Sequence, residues 1–144
     1  MTKSYKHYIY LLLLLVLLVL FGCGNTLENQ ANMPKVINGN SVSRVTSELK
    51  LTKIKSVSDF DQLPRELSSF KTQMGQFDFY LAQSPTQSSG GFFFEIIQKT
   101  NPLIICLKKP SPLSAVTSAL SNPIALIKVT KGFNVKMDLS FCER

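Results

Sequence analysis

Hydrophobic and polar residues alternate most clearly near the C-terminus of the chain. Successive side chains of a β-strand point to opposite faces of its sheet, so a period of two predicts one face on a core and the other in water. The stretch Gln76–Gln83 begins in the same way, with Phe77 and Phe79 on one face and Asp78 on the other. The C-terminal alternation sets Val135, Met137, Leu139 and Phe141 against Asn134, Lys136, Asp138 and Ser140.

Three further runs are short, mostly apolar and rich in Ile, Val and Phe: Phe92–Lys99, Leu103–Leu107 and Ile124–Val129. Such runs are typical of strands that are buried on both faces. Leu49–Ile54 is a weaker strand candidate. Together these six segments predict a mainly β fold, specifically a small antiparallel sandwich or barrel-like domain over residues 45–144.

One short helix is expected between the strand candidates Leu49–Ile54 and Gln76–Gln83. Ser58 is of a residue type that caps helix N-termini, and Asp59 and Asp61 place acidic side chains in the first turn. Pro64 limits the length of the helix, because proline lacks the N–H that a helix interior needs.

The N-terminus has the pattern of an export signal. Residues 2–7 are polar and basic, and the stretch from Tyr8 to Phe21 is apolar without a break. This apolar run is slightly shorter than the ~20 residues that span a bilayer, and a short basic head before it is typical of signal peptides. The sequence therefore predicts a signal peptide over residues 1–22, and an uncleaved N-terminal anchor remains the alternative.

Leu20-Phe21-Gly22-Cys23 resembles the lipobox of bacterial lipoproteins, which has an aliphatic residue three positions before the cysteine and a small residue just before it. The resemblance implies cleavage before Cys23 and acylation of its thiol with fatty acids such as palmitate. Two or more acyl chains hold a protein stably on a membrane. We therefore expect a lipid-anchored protein of the bacterial cell envelope. By analogy with other lipoproteins, Gly24 favours the outer membrane or the cell surface.

Residues 24–44 differ in composition from the segments on either side. They are rich in Asn and small polar side chains and have no apolar period of 2 or 3.6. Chains of this kind behave as flexible linkers. The sequence therefore predicts that the lipidated Cys23 is followed by a flexible tether that reaches residue 44.

Cys106 and Cys142 remain once Cys23 is assigned to lipid. An exported compartment permits disulfides, and both cysteines lie in or beside predicted strands. A bridge would tie the last strand to the middle of the sheet and stabilise the fold. The alternative is two buried thiols that act as small apolar groups. We expect no metal or redox site, because the two are far apart in sequence and no histidine accompanies them.

Composition argues against most catalytic functions and against nucleic-acid binding. Sixteen Lys and Arg stand against nine Asp and Glu, but they are scattered and form no basic stripe or known motif. The only histidine, His7, falls in the predicted signal peptide, which leaves no histidine base, catalytic triad or His-based zinc site. We therefore expect a non-enzymatic protein with no cofactor, metal or small-molecule substrate. Paired carboxylates at Asp59 and Asp61 are the remaining catalytic alternative, and helix capping explains them more simply.

Two segments have the composition of functional loops. The turn Ser88–Phe92 precedes an aromatic strand, and its two glycines permit positive φ and the close approach of another backbone. An ordinary tight turn is the plainer alternative. The loop from Pro110 to Pro123 is long for so small a domain, and long loops on a rigid scaffold are usually functional or disordered.

These features also occur in a distinctive order. A Phe-containing strand, Phe77–Phe79, is followed by a Gly-Gly-aromatic turn, two apolar strands, a Pro-containing loop and an Ala-Leu-x-x-Pro strand entry at Ala119–Pro123. Over about residues 48–131 this order resembles the C-terminal domain of PrcB-type protease-complex subunits. The family pattern at the turn is Thr-Gly-Gly-Tyr, so Ser89–Phe92 keeps the hydroxyl and the ring but lacks the phenol oxygen. Such proteins are lipoproteins that associate with a secreted, subtilisin-like protease and support its maturation or stability.

The resemblance implies a membrane-tethered, non-catalytic partner of a secreted or surface protease. Phe92 would be an aromatic anchor if exposed and a core residue if buried. The alternative is a structural envelope lipoprotein that binds another surface protein. The residues expected to contact the partner are Ser89, Gly90, Gly91, Phe92, Pro110, Pro112 and Pro123.

Overall fold

Two β-sheets and a short helical segment make up the ordered domain. The computed structural model describes residues 12–14, 33–41 and 46–142. The chain divides into two units, Met1–Met33 and Pro34–Arg144, and the sheets belong to the second. The strands are β1 (Lys35–Asn40), β2 (Lys50–Lys53), β3 (Phe77–Gln83), β4 (Phe93–Gln98), β5 (Leu103–Lys108), β6 (Pro123–Thr130) and β7 (Val135–Phe141).

The first unit is described at residues 12–14, which are helical, and at Met33. No helix in the described ranges is long and apolar enough to cross a bilayer. The rest of the predicted signal peptide and the predicted lipid-attachment residue Cys23 lie outside the described residues.

The strands pair mostly antiparallel. One sheet has the order β1-β6-β3-β2 and is antiparallel throughout, while the other has the order β4-β5-β7. Within the second sheet, β4 and β5 are antiparallel and β5 and β7 are parallel. The predicted mainly β class is thus confirmed, in the form of a sandwich of two open sheets and not a closed barrel.

The four-stranded sheet is buried on both faces, because β6 alternates between two cores. Ile124 and Leu126 pack toward the helical segment, where Phe60 and Phe79 meet edge to face with ring centroids 5.3 Å apart. The other face of β6 packs against the three-stranded sheet. That second core is built from Ala82, Phe94, Leu103, Ile105, Leu107, Ala125, Ile127 and Val129. The continuous apolar run Ile124–Val129 is explained by this double burial.

The helical segment consists of three short pieces, where the sequence predicted one helix. A 3-10 helix (Val57–Gln62) is followed by one α-helical turn (Arg65–Ser68) and a second 3-10 helix (Ser69–Gln73). The first helix begins after Ser56, two residues earlier than predicted. Asp59 accepts hydrogen bonds from the backbone N–H groups of Lys55 and Ser56, each 2.9 Å long. The predicted capping role of Asp59 is therefore confirmed.

The predicted tether over residues 24–44 was wrong in its C-terminal part. Lys35–Asn40 forms strand β1 at the edge of the four-stranded sheet, where it pairs with β6 from Lys35 opposite Lys128 to Asn40 opposite Pro123. The segment KVINGN has few apolar residues, and an edge strand that buries little of each side chain needs few. The strand is held by backbone hydrogen bonds to β6, and backbone pairing requires no particular side chains. The sequence of β1 therefore had no apolar period by which the strand could be identified.

Two predicted strands differ from the structure in how they are buried. Phe93 and Ile97 of β4 are exposed, so β4 is not buried on both faces as expected. In β7 the predicted alternation holds for Val135 and Met137, which contact the second core. Beyond them the register shifts, so that Leu107 pairs with Phe141, and Leu139 is 72% exposed.

A disulfide joins Cys106 in the middle of β5 to Cys142 just after β7. The Cα atoms of the two residues are 5.4 Å apart, within the range that a disulfide spans without backbone distortion. This confirms the predicted bridge over the alternative of two free thiols, and it fixes the end of β7 against the sheet.

The sandwich has two ends, which follow from the strand order. The chain-entry end holds the starts of β1 and β3, the ends of β2 and β6, and the turns at residues 99–102 and 131–134. The loop end holds the ends of β1 and β5, the starts of β2 and β6, and the two loops at residues 84–92 and 110–122, which we call the paired loops.

Candidate functional site: the paired loops

The paired loops are joined to each other by hydrogen bonds, although they are separated in sequence by two strands. Gln87 and Ser121 form a two-way backbone bridge, with N···O distances of 2.8 and 3.1 Å. Further along, the N–H of Gly90 donates to the carbonyl of Thr117 over 3.0 Å. The two loops that were predicted to be functional therefore form one structure. Their pairing was not predictable from their composition.

Buried polar side chains support the base of this structure. The buried polar residues among those described are Ser41, Ser84 and Ser121, and all three lie at the loop end. The Ser121 hydroxyl donates to the carbonyl of Ser89 over 2.6 Å, and the N–H of Ser41 donates to the carbonyl of Asn122 over 3.0 Å. No buried side-chain polar atom in the described residues lacks a partner. Satisfied buried polar groups of this kind fix one arrangement of the backbone.

Gly90 and Gly91 do bring two backbones close together, but both backbones belong to this chain. A Cβ atom on Gly90 would lie 2.6 Å from Oγ1 of Thr117. At Gly91 a Cβ atom would lie 2.7 Å from Cγ1 of Val116 and 2.9 Å from Cβ of Pro110, and φ is +84°. The glycines therefore permit packing of one loop on the other. This explains their presence without a partner.

The outer surface of the paired loops is uncharged and partly apolar. Residues 84–92 and 110–122 contain no Asp, Glu, Lys or Arg. Every residue from 111 to 120 is exposed, and the apolar side chains of Leu113 (97%), Leu120 (75%) and Val116 (40%) are in solvent. Exposed apolar side chains on an uncharged surface are a feature of protein-binding sites.

An aromatic pair borders the paired loops. Phe92, at the end of the glycine turn, has its ring centroid 6.2 Å from that of Phe141 in β7. The ammonium group of Lys109 lies 4.1 Å from the centre of the Phe141 ring, in the range of a cation–π contact. Phe92 is half-buried, between the exposed and the buried position anticipated for it, and its ring packs against the second core.

The structure places the predicted contact residues unevenly. Pro112 is exposed and Pro110 is half-buried, while Pro123 is the first residue of β6 and has a fully buried side chain. The prediction that Pro123 contacts a partner was therefore wrong. Ser89, Gly90 and Gly91 hold the second loop in position. Leu113, Val116 and Leu120 were not among the predicted contact residues, although apolar residues in a Ser- and Pro-rich loop were a usable signal.

The predicted carboxylate pair does not form a common site. Asp59 lines an open groove of about 390 Å³ beside β2, together with lysines 50, 53 and 55. Asp61 is not among the residues that line the groove, and its carboxylate lies 3.3 Å from the ammonium group of Lys71. Paired-carboxylate chemistry needs two such groups facing one substrate, and the groove offers one, which is engaged in capping.

An acidic residue with both an ion pair and a backbone hydrogen bond lies away from the loops. Asp78 in β3 accepts hydrogen bonds from the ammonium of Lys53 (2.9 Å) and the N–H of Gly132 (3.1 Å). Burial raises the pKa of Asp78, but the two hydrogen bonds together with the positive charges of Lys53 and Lys131 lower it by more, so that its pKa lies below the ordinary value. The pKa of Lys53 is raised, chiefly by the same hydrogen bond. This pair links β2, β3 and the turn after β6.

No group of three or more His, Cys, Asp or Glu side chains in the described ranges is arranged to hold a metal ion. The loop end therefore offers recognition by shape, apolar contact and backbone hydrogen bonds. Comparison with protein-family models, with curated proteins and with solved structures finds no match to this chain.

Proposed function

We propose that the chain is a membrane-anchored, non-catalytic binding module that contacts a secreted or surface protease through its paired loops. One observation carries the proposal. Two loops from distant parts of the sequence are hydrogen-bonded into a single uncharged surface that exposes Leu113, Val116 and Leu120. Hydrogen bonds at Thr117 and Ser121 hold the loop that carries these side chains to its partner loop, which lowers the entropic cost of binding because less of the loop has to become ordered.

The membrane part of the proposal is supported by the sequence. The apolar run that ends at Phe21 and the lipobox-like Leu20–Cys23 point to lipid on Cys23. Two or more acyl chains are enough to hold the protein on a bilayer. The protein then acts on partners that come to the surface of the bacterial envelope.

The choice of a protease as partner is supported by the resemblance to PrcB-type subunits. The features behind it, from Phe77–Phe79 to Ala119–Pro123, include both paired loops. In the proposed complex, Leu113, Val116 and Leu120 contact the protease directly. Ser89, Gly90 and Gly91 act indirectly, because they hold the second loop in position.

The direct test is affinity capture of the lipidated protein from native membranes, followed by mass spectrometry. A double variant, Leu113→Ser with Leu120→Ser, removes the two most exposed leucines of the paired loops. Surface substitutions of this kind change the free energy of unfolding by less than about 0.5 kcal/mol. We expect a subtilisin-like protease to co-purify with the wild type. The amount recovered with the double variant should be at least about tenfold lower, which corresponds to roughly 1.4 kcal/mol of binding free energy.

The matched control is Ile97→Ser, which removes a 51% exposed apolar side chain from β4, close to the opposite end of the sandwich. We expect this variant to retain the protease. If the double variant retained it as well, the paired loops would not be the binding site. Recovery of only structural envelope proteins would favour the alternative of an envelope lipoprotein unrelated to proteolysis.

Substitution of the turn glycines is a poor test of binding. Valine at Gly90 or Gly91 would collide with Thr117, Val116 or Pro110. The loops would then separate whether or not these glycines contact a partner, so loss of binding would not identify them as contact residues.

A further inference from the structure

Both ends of the sandwich carry lysines, but they are arranged differently. At the loop end, Lys50, Lys108 and Lys109 lie on or next to strands, and the ammonium group of Lys108 is 2.7 Å from the carboxylate of Glu95. The paired loops contain no charged residue, whereas the chain-entry end contains several lysines and no acidic residue in its turns. These lysines come from the start of β1, the end of β6, the start of β7 and the two turns at that end. They are Lys35, Lys99, Lys128, Lys131 and Lys136, which we call the basic end.

Most of the basic end is free to meet an external anion. Lys35, Lys99, Lys131 and Lys136 are exposed, while Lys128 is half-buried, with its ammonium 3.0 Å from the side-chain oxygen of Gln73. The nearest acidic residues along the strands are already engaged. The carboxylate of Asp78 binds Lys53 and the Gly132 N–H, and that of Asp138 accepts from the Ser140 backbone and hydroxyl. Of these two carboxylates, that of Asp78 is neutralised by Lys53, while that of Asp138 keeps its charge, so the five lysines of the basic end leave a positive net charge there.

We propose that the basic end docks on anionic lipid headgroups of the membrane to which the protein is anchored. The proposal rests on the anchoring in the proposed function and is independent of the identity of the partner. Two observations favour a lipid surface as the occupant. The lysines lie on both outer faces and on the turns of one end, which suits a broad plane of negative charge. The chain also enters the domain at this end, through Lys35, downstream of the proposed lipid attachment.

Docking in this orientation determines where the paired loops lie. Strand β6 has eight residues and runs from the loop end to the basic end, so those ends are about 23 Å apart. That distance exceeds the Debye length of about 10 Å at 0.1 M salt. The paired loops then project away from the headgroups into water, where a soluble protease can reach them. The loops themselves carry no charge, and Lys108 at their border is paired with Glu95, so the loop end attracts anionic lipid less than the basic end does.

The test uses the full lipidated chain, reconstituted into vesicles of phosphatidylcholine alone or with phosphatidylglycerol. Exposed amines are acetylated under limiting conditions, and each lysine is quantified by mass spectrometry. We expect acetylation of Lys99, Lys131 and Lys136 to fall at least about threefold in the anionic vesicles, since bound lipid shields these amines. Lys50 and Lys109, at the loop end, should be unchanged. Salt at 0.5 M should reverse the protection, because docking is electrostatic.

A pair of charge-matched variants provides the control. The variant K99Q/K131Q/K136Q removes three charges from the basic end, and K50Q/K108Q/K109Q removes three from the loop end. Backbone amide exchange of the turn at residues 131–134 should slow in anionic vesicles for the wild type and for the loop-end variant, but not for the basic-end variant.

The outcomes separate the two proposals. A chain that fails to float with neutral vesicles lacks the lipid anchor, which would overturn the proposed membrane attachment. A chain that floats with both kinds of vesicle, yet shows equal acetylation at the two ends or equal amide exchange in the two variants, overturns the docking of the basic end. That result would leave the proposed lipid anchor unaffected.

Discussion

The side-chain amide of Asn38 pairs with the backbone of Phe94 as a neighbouring strand would. Its Oδ1 accepts from the N–H of Phe94 over 2.7 Å, and its Nδ2 donates to the carbonyl of the same residue over 3.0 Å. Asn38 lies in β1 of one sheet and Phe94 in β4 of the other. One side chain thus satisfies part of the open edge of β4 and joins the two sheets along one side of the sandwich.

Removal of this amide should weaken the contact between the sheets. We expect Asn38→Ala to lower the free energy of unfolding by about 1–2 kcal/mol, because two backbone groups of a buried residue lose their partners. The measurement is urea denaturation followed by circular dichroism. The control is Asn40→Ala in the same strand. Because Asn40 is exposed, this substitution should lower the free energy of unfolding by less than about 0.5 kcal/mol. Equal losses in the two variants would show that the amide pairing adds no stability.

The glycine turn allows strain and packing to be measured separately. Gly91 and Gly132 both have positive φ, at +84° and +80°, but a Cβ atom would collide with Val116 and Pro110 only at Gly91. We expect Gly132→Ala to cost about 1 kcal/mol from backbone strain, and Gly91→Ala to cost about 2–3 kcal/mol, because overpacking is added. Denaturant midpoints of the two variants give the difference. If the two substitutions lowered the free energy of unfolding equally, the paired loops would be able to move apart without a loss of stability.

Sequence patterns predicted the fold where a strand had to bury a face, and failed where it did not. The core of β6 and the Phe77–Phe79 face of β3 were visible, because hydrophobic burial leaves a period in the sequence. Strand β1 was missed, because its stability comes from pairing with β6 and from the Asn38 amide, and neither leaves an apolar pattern.

The candidate site was predictable only in part. Glycine and proline marked the two loops, since these residues restrict or relax the backbone. That the loops pair with each other depends on contacts between residues such as Gly90 and Thr117, far apart in sequence. The direction of each side chain depends on that pairing, which is why Pro123 was assigned to the surface and Leu113 was overlooked.

The disulfide should be a major contributor to stability. Cys106 and Cys142 are 36 residues apart in sequence, and the chain-entropy model gives about 4 kcal/mol for closing a loop of that length. We expect Cys142→Ser to lower the free energy of unfolding by an amount of that order in urea denaturation. Dithiothreitol should lower the stability of the wild type to that of the variant and leave the variant unchanged. If the wild type were unfolded and refolded in the reductant and its free energy of unfolding did not change, this role of the disulfide would be contradicted.

The ion pair between Lys53 and Asp78 should make stability depend on pH in the acid range. Because the pKa of Asp78 is lower in the folded protein than its ordinary value near 3.8, its ionised form favours folding. This contribution is fully present above the unfolded pKa and is lost as pH falls through the folded pKa. At pH 7, Asp78→Asn should lower the free energy of unfolding by about 1 kcal/mol, and the difference from the wild type should shrink below pH 4.

The control for this prediction is Asp61→Asn, which breaks the exposed contact with Lys71. An ion pair with both partners in water is worth less than about 1 kcal/mol and is screened by salt, so this variant should follow the wild type closely. The free energy of unfolding of all three proteins, measured in urea from pH 7 to pH 2, decides the matter. If the gap between the wild type and Asp78→Asn stayed constant down to pH 2, the Asp78 carboxylate would contribute through its shape and hydrogen-bonding capacity and not through its charge.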